Sequence, residues 1–245
     1  MATTIAHDHS IDHSHDHSHD HAPGGLMRYL TTTNHKDIGT MYLWFAFTMF
    51  FIGGAMALGI RAELFRPGLQ YFQPEFFNSL TTVHALVMIF GAVMPAFVGF
   101  ANWLIPMQIG AADMAFPRMN NWSFWIMIPA AILLLSTFFV PGGAAASGWT
   151  LYPPLVTQGG IGVDMSILAL HLLGASSIMG SINIITTLLN LRAPGMTMMR
   201  MPIFTWTSLC TNILIVAAFP VLTTVLALLS LDRYVGTNFF TNHLG

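Results

Sequence analysis

His84 is the only ionisable side chain in the apolar run from residue 80 to residue 104. An imidazole surrounded by hydrocarbon is costly, so such a residue marks a functional site by default, and neutral imidazole is a common metal ligand. Steps of three or four residues from His84 lead to Met88, Gly91 and Pro95, which places small or flexible groups along one helix face. We expect this face to leave room for a flat cofactor. The alternative is that His84 donates a hydrogen bond to a carbonyl of a neighbouring helix.

A second group of candidate residues surrounds the loop between the second and third apolar runs. It contains one carboxylate, Asp113, and three amides, at Asn102, Asn120 and Asn121. Amides both donate and accept hydrogen bonds, so they can hold ordered water beside a carboxylate that delivers protons. The pattern is consistent with the mouth of a proton pathway. The alternative is structural, with Asp113 and the asparagine pair acting as helix N-cap and turn residues.

The fourth apolar run carries small and polar side chains close together on a helix: His171, Gly174, Ser176, Ser177, Ser181 and Asn183. Such stripes serve close packing of membrane helices, and the same hydroxyls can line a file of water molecules. Both interpretations stay open for the serines. We interpret His171 as structural.

Polar residues also follow the first apolar run. We expect Arg61 at the membrane level of His84, where a guanidinium stays charged and donates to a cofactor carbonyl or carboxylate. Four nearby residues offer hard oxygen ligands for Ca²⁺ or Na⁺ from side chain or backbone: Glu63, Arg66, Gly68 and Gln70. The alternative is that these residues only anchor the helix at the membrane edge.

The elements that must position these residues are membrane-spanning helices. Of the 245 residues, 54% are hydrophobic and 7% are charged, and the mean hydropathy is +0.64. Apolar runs of about 20 residues match a bilayer core of ~30 Å. We predict an all-α membrane protein with five spans, near residues 40–60, 80–105, 122–140, 166–191 and 205–231. The net charge of −2 gives no sign of nucleic-acid binding.

Basic residues predict the orientation of the spans. Five lie on one side and three on the other: Arg28, Lys36, Arg118, Arg192 and Arg200 against Arg61, Arg66 and Arg233. The positive-inside rule then places the N-terminus in the cytoplasm. We predict a disordered cytoplasmic tail over residues 1–27, which holds seven of the eleven histidines and could bind Cu²⁺, Ni²⁺ or Zn²⁺ loosely. Residues 28–245 form the membrane domain.

Several ordered motifs carry a resemblance to a known family. They are TNHKDIG at 33–39, RAEL at 61–64, VHALVMIF at 83–90, the segment 106–121, GWTLYPP at 148–154 and DR at 232–233. Through these motifs residues 28–245 resemble the haem–copper oxidase family, and most closely subunit I of the aa3-type cytochrome c oxidases. The resemblance implies the first part of a bundle of about twelve membrane helices.

The resemblance also implies roles for the candidate residues. His84 matches an axial ligand of the low-spin haem a, and Arg61 matches the arginine that hydrogen-bonds the formyl group of that haem. Asp113 matches the entrance of the D-pathway for protons, and further D-pathway positions match Asn102, Asn120, Asn183, Ser176 and Ser177. A peripheral Ca²⁺/Na⁺ site matches Glu63, Arg66, Gly68 and Gln70.

The implied activity is oxidation of cytochrome c with reduction of dioxygen to water, coupled to proton pumping across a bacterial inner membrane. Subunits II and III, cytochrome c and lipid are the implied partners. The ligands of haem a3 and copper B belong to a later part of the family chain, so we expect this N-terminal portion to be inactive alone.

Two alternatives stay open. One is a bo3-type quinol oxidase, which residues 192–198 and 232–242 also resemble. Phe76 and Ser79 stand where the quinol enzymes carry histidine and glutamine, which favours cytochrome c as the donor. The other is a half-subunit that has no catalytic activity and acts only by assembling with its complement.

Overall fold

The computed structural model describes residues 25–240, which form helices joined by turns. The elements are α1 (Leu26–Thr31), α2 (His35–Glu63), α3 (Pro74–Leu86), a π-helical segment (Val87–Val93), α4 (Met94–Ile109), α5 (Pro117–Ser136), α6 (Ile161–Asn190) and α7 (Ile203–Tyr234). The segment from α3 through α4 is one continuous span. The predicted all-α fold is confirmed for this part of the chain.

Five spans in the described residues are long and apolar enough to cross a membrane, as predicted. Their ends differ from the predicted ones. The second span, for example, runs over Pro74–Ile109, whereas Val140 and Leu191 fall just outside their helices. Hydropathy marks only the part of a helix that lies in hydrocarbon, whereas backbone hydrogen bonding continues into the polar interface.

Successive long helices run in opposite directions, so their ends form two faces of the bundle. We call the end where α2 begins the near face and the opposite end the far face. The closest associations join α5 to α6, α6 to α7, and α2 to the span that contains α4. On the near face, a hydrogen bond of 2.8 Å from Ala193 N to Ile109 O joins the loop after α6 to the end of α4.

The close approach of α2 and α4 requires glycine at position 39. A Cβ on Gly39 would lie 2.7 Å from Cδ1 of Trp103 and 3.0 Å from the carbonyl oxygen of Gly99. Small residues let membrane helices gain dispersion contacts where lipid supplies no hydrophobic driving force. The approach brings His35 of α2 to α4, where its Nδ1 lies 2.8 Å from the carbonyl oxygen of Asn102.

The helix that carries His84 widens into the π-helical segment three residues later, at Val87. Pro95 supplies a local reason, because it lacks an N–H and its ring would meet the carbonyl of residue 91 in a regular α-helix. Such wide turns are rare in proteins, and many of the known examples lie at functional sites.

The segment before α2 packs against the start of α5. Asn121 Nδ2 donates to the carbonyl oxygen of Leu30 at 2.7 Å, and Arg28 pairs with Asp37 at 3.1 Å. The predicted disordered tail is therefore too long at its C-terminal end, since α1 begins at Leu26. The sequence gives little helix signal there, and the helix depends on these tertiary contacts. Residues 1–24, with all seven tail histidines, lie outside the described residues.

Candidate functional site

His84 is held by a backbone carbonyl of α2. Its Nδ1 lies 2.9 Å from the carbonyl oxygen of Gly53. A carbonyl only accepts, so Nδ1 carries the proton and donates it. In the neutral ring Nε2 then keeps its lone pair, which is the form of imidazole that ligates a metal. Donation to a neighbouring helix and ligation at Nε2 are thus compatible, and within residues 25–240 no hydrogen bond occupies Nε2.

Gly53 permits this contact because it has no side chain. A Cβ at position 53 would lie 2.5 Å from Sδ and 2.9 Å from Cγ of Met88. Met88 is four residues beyond His84 and faces the same way. The absent Cβ lets α2 lie against His84 and Met88 together.

The His84 face is packed against α2 at two points. Met88 lies against Gly53, and Gly91 lies against Met49, because a Cβ on Gly91 would be 3.1 Å from Met49 Cγ. The small residues therefore serve close packing of α2 on the His84 helix. The space for a flat cofactor stays a prediction.

The backbone of Arg61 lies farther toward the far face than Gly53, the residue that His84 contacts. His84 contacts Gly53, and Arg61 follows Gly53 by eight residues, which is about 12 Å along a helix axis. The sequence places both residues near the far face but does not give the register between the two helices. Arg61 is exposed there and lines an open cavity with Ala62, Leu64, Phe65 and Tyr71.

A chain of buried hydrogen bonds connects α4, α5, α2 and α6. Asn120 Nδ2 donates to Asn102 Oδ1 at 2.5 Å, and Ser123 Oγ donates to the Asn120 carbonyl oxygen at 2.7 Å. Because the single Ser123 proton is used, the Tyr42 hydroxyl donates to Ser123 Oγ, at 2.8 Å. Ser176 Oγ donates to the Ser123 carbonyl oxygen at 2.5 Å. All five side chains are buried.

Three of these five residues were among the predicted site residues: Asn102, Asn120 and Ser176. Tyr42 and Ser123 were not predicted. Ser123 follows Asn120 by three residues, so the helical period indicates a shared face. Tyr42 offers no comparable signal, because it is a single hydroxyl in an apolar run and its partner lies 81 residues away.

Two features of this polar chain indicate places for water. Asn120 Oδ1 is buried and accepts no hydrogen bond from the described residues. A void of about 20 Å³, lined by Tyr42, Ser176 and Ser177, has room for about one water molecule. Ser177 also lines a larger cavity of about 350 Å³ between α4, α6 and α7. Buried polar atoms of this kind are ordinarily satisfied by ordered water.

Asp113 is not the cap of α5, but it lies in a bend of the loop, so the turn interpretation of this residue stays open. The N-cap of α5 is Phe116, and Asn120 and Asn121 lie inside the helix. Asp113 Oδ1 accepts from Met114 N at 2.7 Å, which leaves the partly exposed carboxylate on the near face. Pro117 at the first helical position, rather than a side-chain cap, favours the start of α5.

The loop that carries Asp113 is held by α6. Asn183 Oδ1 accepts from Phe116 N at 2.8 Å, and Thr187 Oγ1 accepts from Ala115 N at 2.9 Å. Asn183 is therefore joined to the loop backbone and not to the Asn102 and Asn120 pair. Its position indicates that it fixes the loop.

Glu63 organises the far-face loop that follows α2. Its two carboxylate oxygens accept from the backbone N–H groups of Gln70, Tyr71 and Phe72, at 2.8, 2.7 and 3.0 Å. The carboxylate is buried, and Gln70 Nε2 donates to the Pro67 carbonyl oxygen at 3.2 Å. Glu63, Arg66 and Gly68 line one cavity, whereas Gln70 does not. The ion site stays a prediction.

A family model described as "Cytochrome C and Quinol oxidase polypeptide I" matches residues 37–245 of this sequence. The chain belongs to this family. Together with the five apolar spans, membership makes it a multi-pass membrane protein of a family of haem- and copper-containing oxidoreductases.

Curated relatives agree with the family. The chain is 48% identical over 227 residues to a probable cytochrome c oxidase subunit 1-alpha of Streptomyces coelicolor, which covers 91% of this chain and 39% of the relative. A probable cytochrome c oxidase subunit 1-beta of Nocardia farcinica is 47% identical over 218 residues, covering 88% and 37%. The chain thus spans about two fifths of the length of these relatives.

The site fits one of the metal groups that the oxidase family uses. His84, with Nδ1–H fixed and Nε2 unengaged, has the neutral form of imidazole that metals such as haem iron accept as a ligand. The described residues do not gather three His, Cys, Asp or Glu side chains at one point. A copper site is therefore not built from these residues.

Proposed function

We propose that this chain is the N-terminal part of subunit I of a haem–copper cytochrome c oxidase that reduces dioxygen to water and pumps protons. The observation that carries the proposal is the hydrogen bond from His84 Nδ1 to the Gly53 carbonyl, which leaves Nε2 for an iron. A hydrogen bond from Nδ1–H fixes the tautomer and the orientation of a ligating imidazole and raises its basicity. Because His35 and His171 also bond carbonyl oxygens through Nδ1, the proposal rests as well on the position of His84 in the family motif at 83–90.

His84 is proposed as an axial ligand of the low-spin haem a, which supplies one-electron transfer when it is bound. Arg61 is proposed to donate to a polar substituent at the edge of that haem, the formyl group in the family. The axial offset of about 12 Å between Gly53 and Arg61 is compatible with this role, because a macrocycle bound at Nε2 can extend toward the far face.

The near-face residues are proposed to take up protons. Asp113 on the near face is the entrance, and the buried chain through Asn120, Ser123, Tyr42 and Ser176 supplies donors and acceptors in sequence. Amide and carbonyl groups hold water and do not pass a proton themselves, so the proton is proposed to move along ordered water that these groups position, with water in the void beside Ser177 as one member. Asn183 holds the entrance loop.

Cytochrome c is the proposed electron donor, because Phe76 and Ser79 replace the histidine and glutamine of the quinol enzymes. The buried Ser79 is engaged structurally, with its hydroxyl donating to the Ala144 carbonyl oxygen at 2.9 Å. Subunits II and III are the proposed partners, and haem a3 and copper B are assigned to the rest of subunit I. We place the near face in the cytoplasm of a bacterial inner membrane, following the basic residues.

A Ca²⁺ or Na⁺ site is also proposed on the far face. Carbonyl oxygens at Arg66 and Gly68 are its most suitable ligands from this chain, because both Glu63 carboxylate oxygens already accept backbone hydrogen bonds. The remaining lone pairs of Glu63 can still face an ion, since each carboxylate oxygen accepts more than one partner.

The deciding experiment replaces His84 by asparagine in the assembled oxidase. We expect the absorption band of the low-spin haem to disappear from the reduced spectrum. The matched control is His171→Asn, because His171 Nδ1 only contacts the Ile167 carbonyl one turn earlier in its own helix. A His84→Asn protein that keeps the low-spin band would overturn the assignment. If the unchanged chain already assembles without any haem, the result would support the non-catalytic half-subunit.

A further inference from the structure

Arg233, in the last turn of α7, makes the most extensive polar contact on the far face. Its guanidinium pairs with Asp164 in the first turn of α6, with Nε to Oδ1 at 2.5 Å and Nη2 to Oδ2 at 3.0 Å. Only 9% of the Arg233 side chain is exposed. A buried charge of this kind is strongly held only when all its hydrogens find acceptors.

The other donors of Arg233 bind the backbone of the loop between α5 and α6. Nη1 donates to the carbonyl oxygens of Val156 and Thr157 at 3.0 and 3.1 Å. Nη2 donates to those of Gly159 and Gly160 at 2.9 and 3.1 Å. The five N–H groups therefore reach four carbonyls and one carboxylate in a planar fork that lysine cannot reproduce.

The other half of the same loop is bound to α3, the helix that carries His84. Ser79 Oγ donates to the Ala144 carbonyl oxygen at 2.9 Å, and Thr82 Oγ1 accepts from Gly148 N at 3.0 Å. Ser79 and Thr82 are buried, five and two residues before His84.

The loop is also tightly seated between these two attachments. A Cβ on Gly162 would lie 2.1 Å from the Gly143 carbonyl oxygen, so the loop touches the first turn of α6 without intervening side chains. Val156 and Leu151 are buried in the same apolar cluster as Val83, the neighbour of His84. A displacement of the loop at Arg233 would therefore reach α3 through these contacts.

We propose that Arg233 is a positioning residue: through loop 141–160 it fixes the outer half of α3 and so sets the orientation of His84. The inference rests on the proposed function, because His84 is taken as the haem ligand. It assigns a role to Arg233 and Asp164 that does not involve contact with haem, substrate or proton pathway.

The test uses Arg233→Lys in the assembled oxidase, purified with its cofactors. Hydrogen–deuterium exchange should become roughly tenfold faster in residues 141–160, because the loop loses most of its carbonyl contacts. The low-spin haem band of the reduced protein should also shift. Arg192→Lys is the control, since Arg192 donates to the Leu188 and Leu189 carbonyls at the opposite end of α6; it should leave both readouts unchanged.

A second pair of variants tests the connection to α3. Ser79→Ala combined with Thr82→Val removes the other attachment and should shift the same band. If both ends act through one loop, the shift in the combined Arg233→Lys, Ser79→Ala, Thr82→Val protein will be smaller than the sum of the separate shifts. If the Arg233→Lys protein fails to assemble, Asp164→Asn perturbs the same loop less, because it keeps the four carbonyl contacts of Arg233.

Two results would overturn the proposal. One is unchanged exchange in residues 141–160 of Arg233→Lys or Asp164→Asn. The other is faster exchange with an unshifted haem band, which would make Arg233 a purely structural residue. Neither result depends on the His84→Asn experiment, so failure of the haem-ligand assignment is recognised separately, by a low-spin band that survives in His84→Asn.

Discussion

The carbonyl oxygen of Gly53 lies 2.9 Å from Nδ1 of His84, and the same glycine leaves the space into which Met88 packs. One residue without a side chain thus fixes both the tautomer of the imidazole and the distance between two helices. The hydrogen bond joins residues 31 positions apart in sequence, across two different spans.

The first prediction concerns the size of residue 53. Gly53→Ala places a methyl group 2.5 Å from Met88 Sδ, so the helices must separate or Met88 must move. Overpacking of this kind costs about 1–3 kcal/mol. We expect a lower midpoint of thermal unfolding and a shifted low-spin haem band, because the bond to His84 lengthens.

A compensating change serves as the control for this variant. Met88→Ala removes the side chain that the new methyl would meet, so Gly53→Ala with Met88→Ala should recover the original band position. An unaltered band in Gly53→Ala alone would show that the Gly53 carbonyl does not set the orientation of His84.

The second prediction concerns Tyr42, the buried hydroxyl of α2 in the polar chain. Tyr42→Phe removes the donor to Ser123 Oγ and keeps the ring that packs on Phe124, whose centroid is 5.2 Å away. Loss of one hydrogen bond costs about 1 kcal/mol, so the protein should assemble. We expect slower proton uptake, measured by stopped flow with a pH indicator, and an unchanged haem spectrum.

The matched control for Tyr42 is Tyr29→Phe, because Tyr29 is exposed in α1 and its hydroxyl is not part of the polar chain. Normal proton uptake in Tyr42→Phe, at the rate of this control, would remove Tyr42 from the proposed pathway.

The fold was largely predictable from sequence, and the site only in part. Long apolar runs identify the five spans, because lipid forces every backbone polar group to be satisfied within the helix. The contacts between spans depend on register, which hydropathy does not contain. For this reason His84 could be singled out from the sequence, whereas the packing of Met88 on Gly53 and the position of Arg61 along α2 could not be predicted.

The polar side chains show the same limit. Asp113 and its asparagines could be grouped from the sequence because they lie close together in it. Tyr42 could not, because only the approach of α2 to α5 brings it to Ser123. Asn183 was assigned by resemblance to the proton pathway, and its hydrogen bonds to the Phe116 backbone add a contact that the sequence does not predict.

The third prediction concerns the far-face loop. Glu63→Gln replaces a carboxylate that accepts three backbone N–H groups by an amide with one accepting oxygen. We expect faster hydrogen–deuterium exchange in residues 64–72 and weaker binding of Ca²⁺, measured by calorimetry. Glu75→Gln is the control, because Glu75 is exposed in the first turn of α3. Unaltered exchange would contradict the organising role of Glu63, and unaltered Ca²⁺ binding would contradict the ion site.

The fourth prediction concerns Asp113. Asp113→Asn keeps an oxygen that can accept from Met114 N, so the loop held by Asn183 and Thr187 should retain its fold. The amide cannot take up and release a proton near neutral pH, and a positioned proton-transfer group contributes about 10²- to 10⁴-fold to a rate. We therefore expect turnover to fall at least roughly tenfold, with an unchanged low-spin haem band.

Asp37→Asn separates this effect from a general loss of negative charge on the near face, because the Asp37 carboxylate binds Arg28, at 3.1 Å, and the hydroxyl of Thr32. Asp37→Asn should turn over normally. Proton uptake and proton pumping should be measured together in vesicles. A slower electron-transfer step would lower both rates in proportion. A blocked entrance would lower proton uptake from the near face first. Full pumping at normal turnover in Asp113→Asn would mean that protons enter the chain through Asn102, Asn120 and Ser123 from a different residue of the near face.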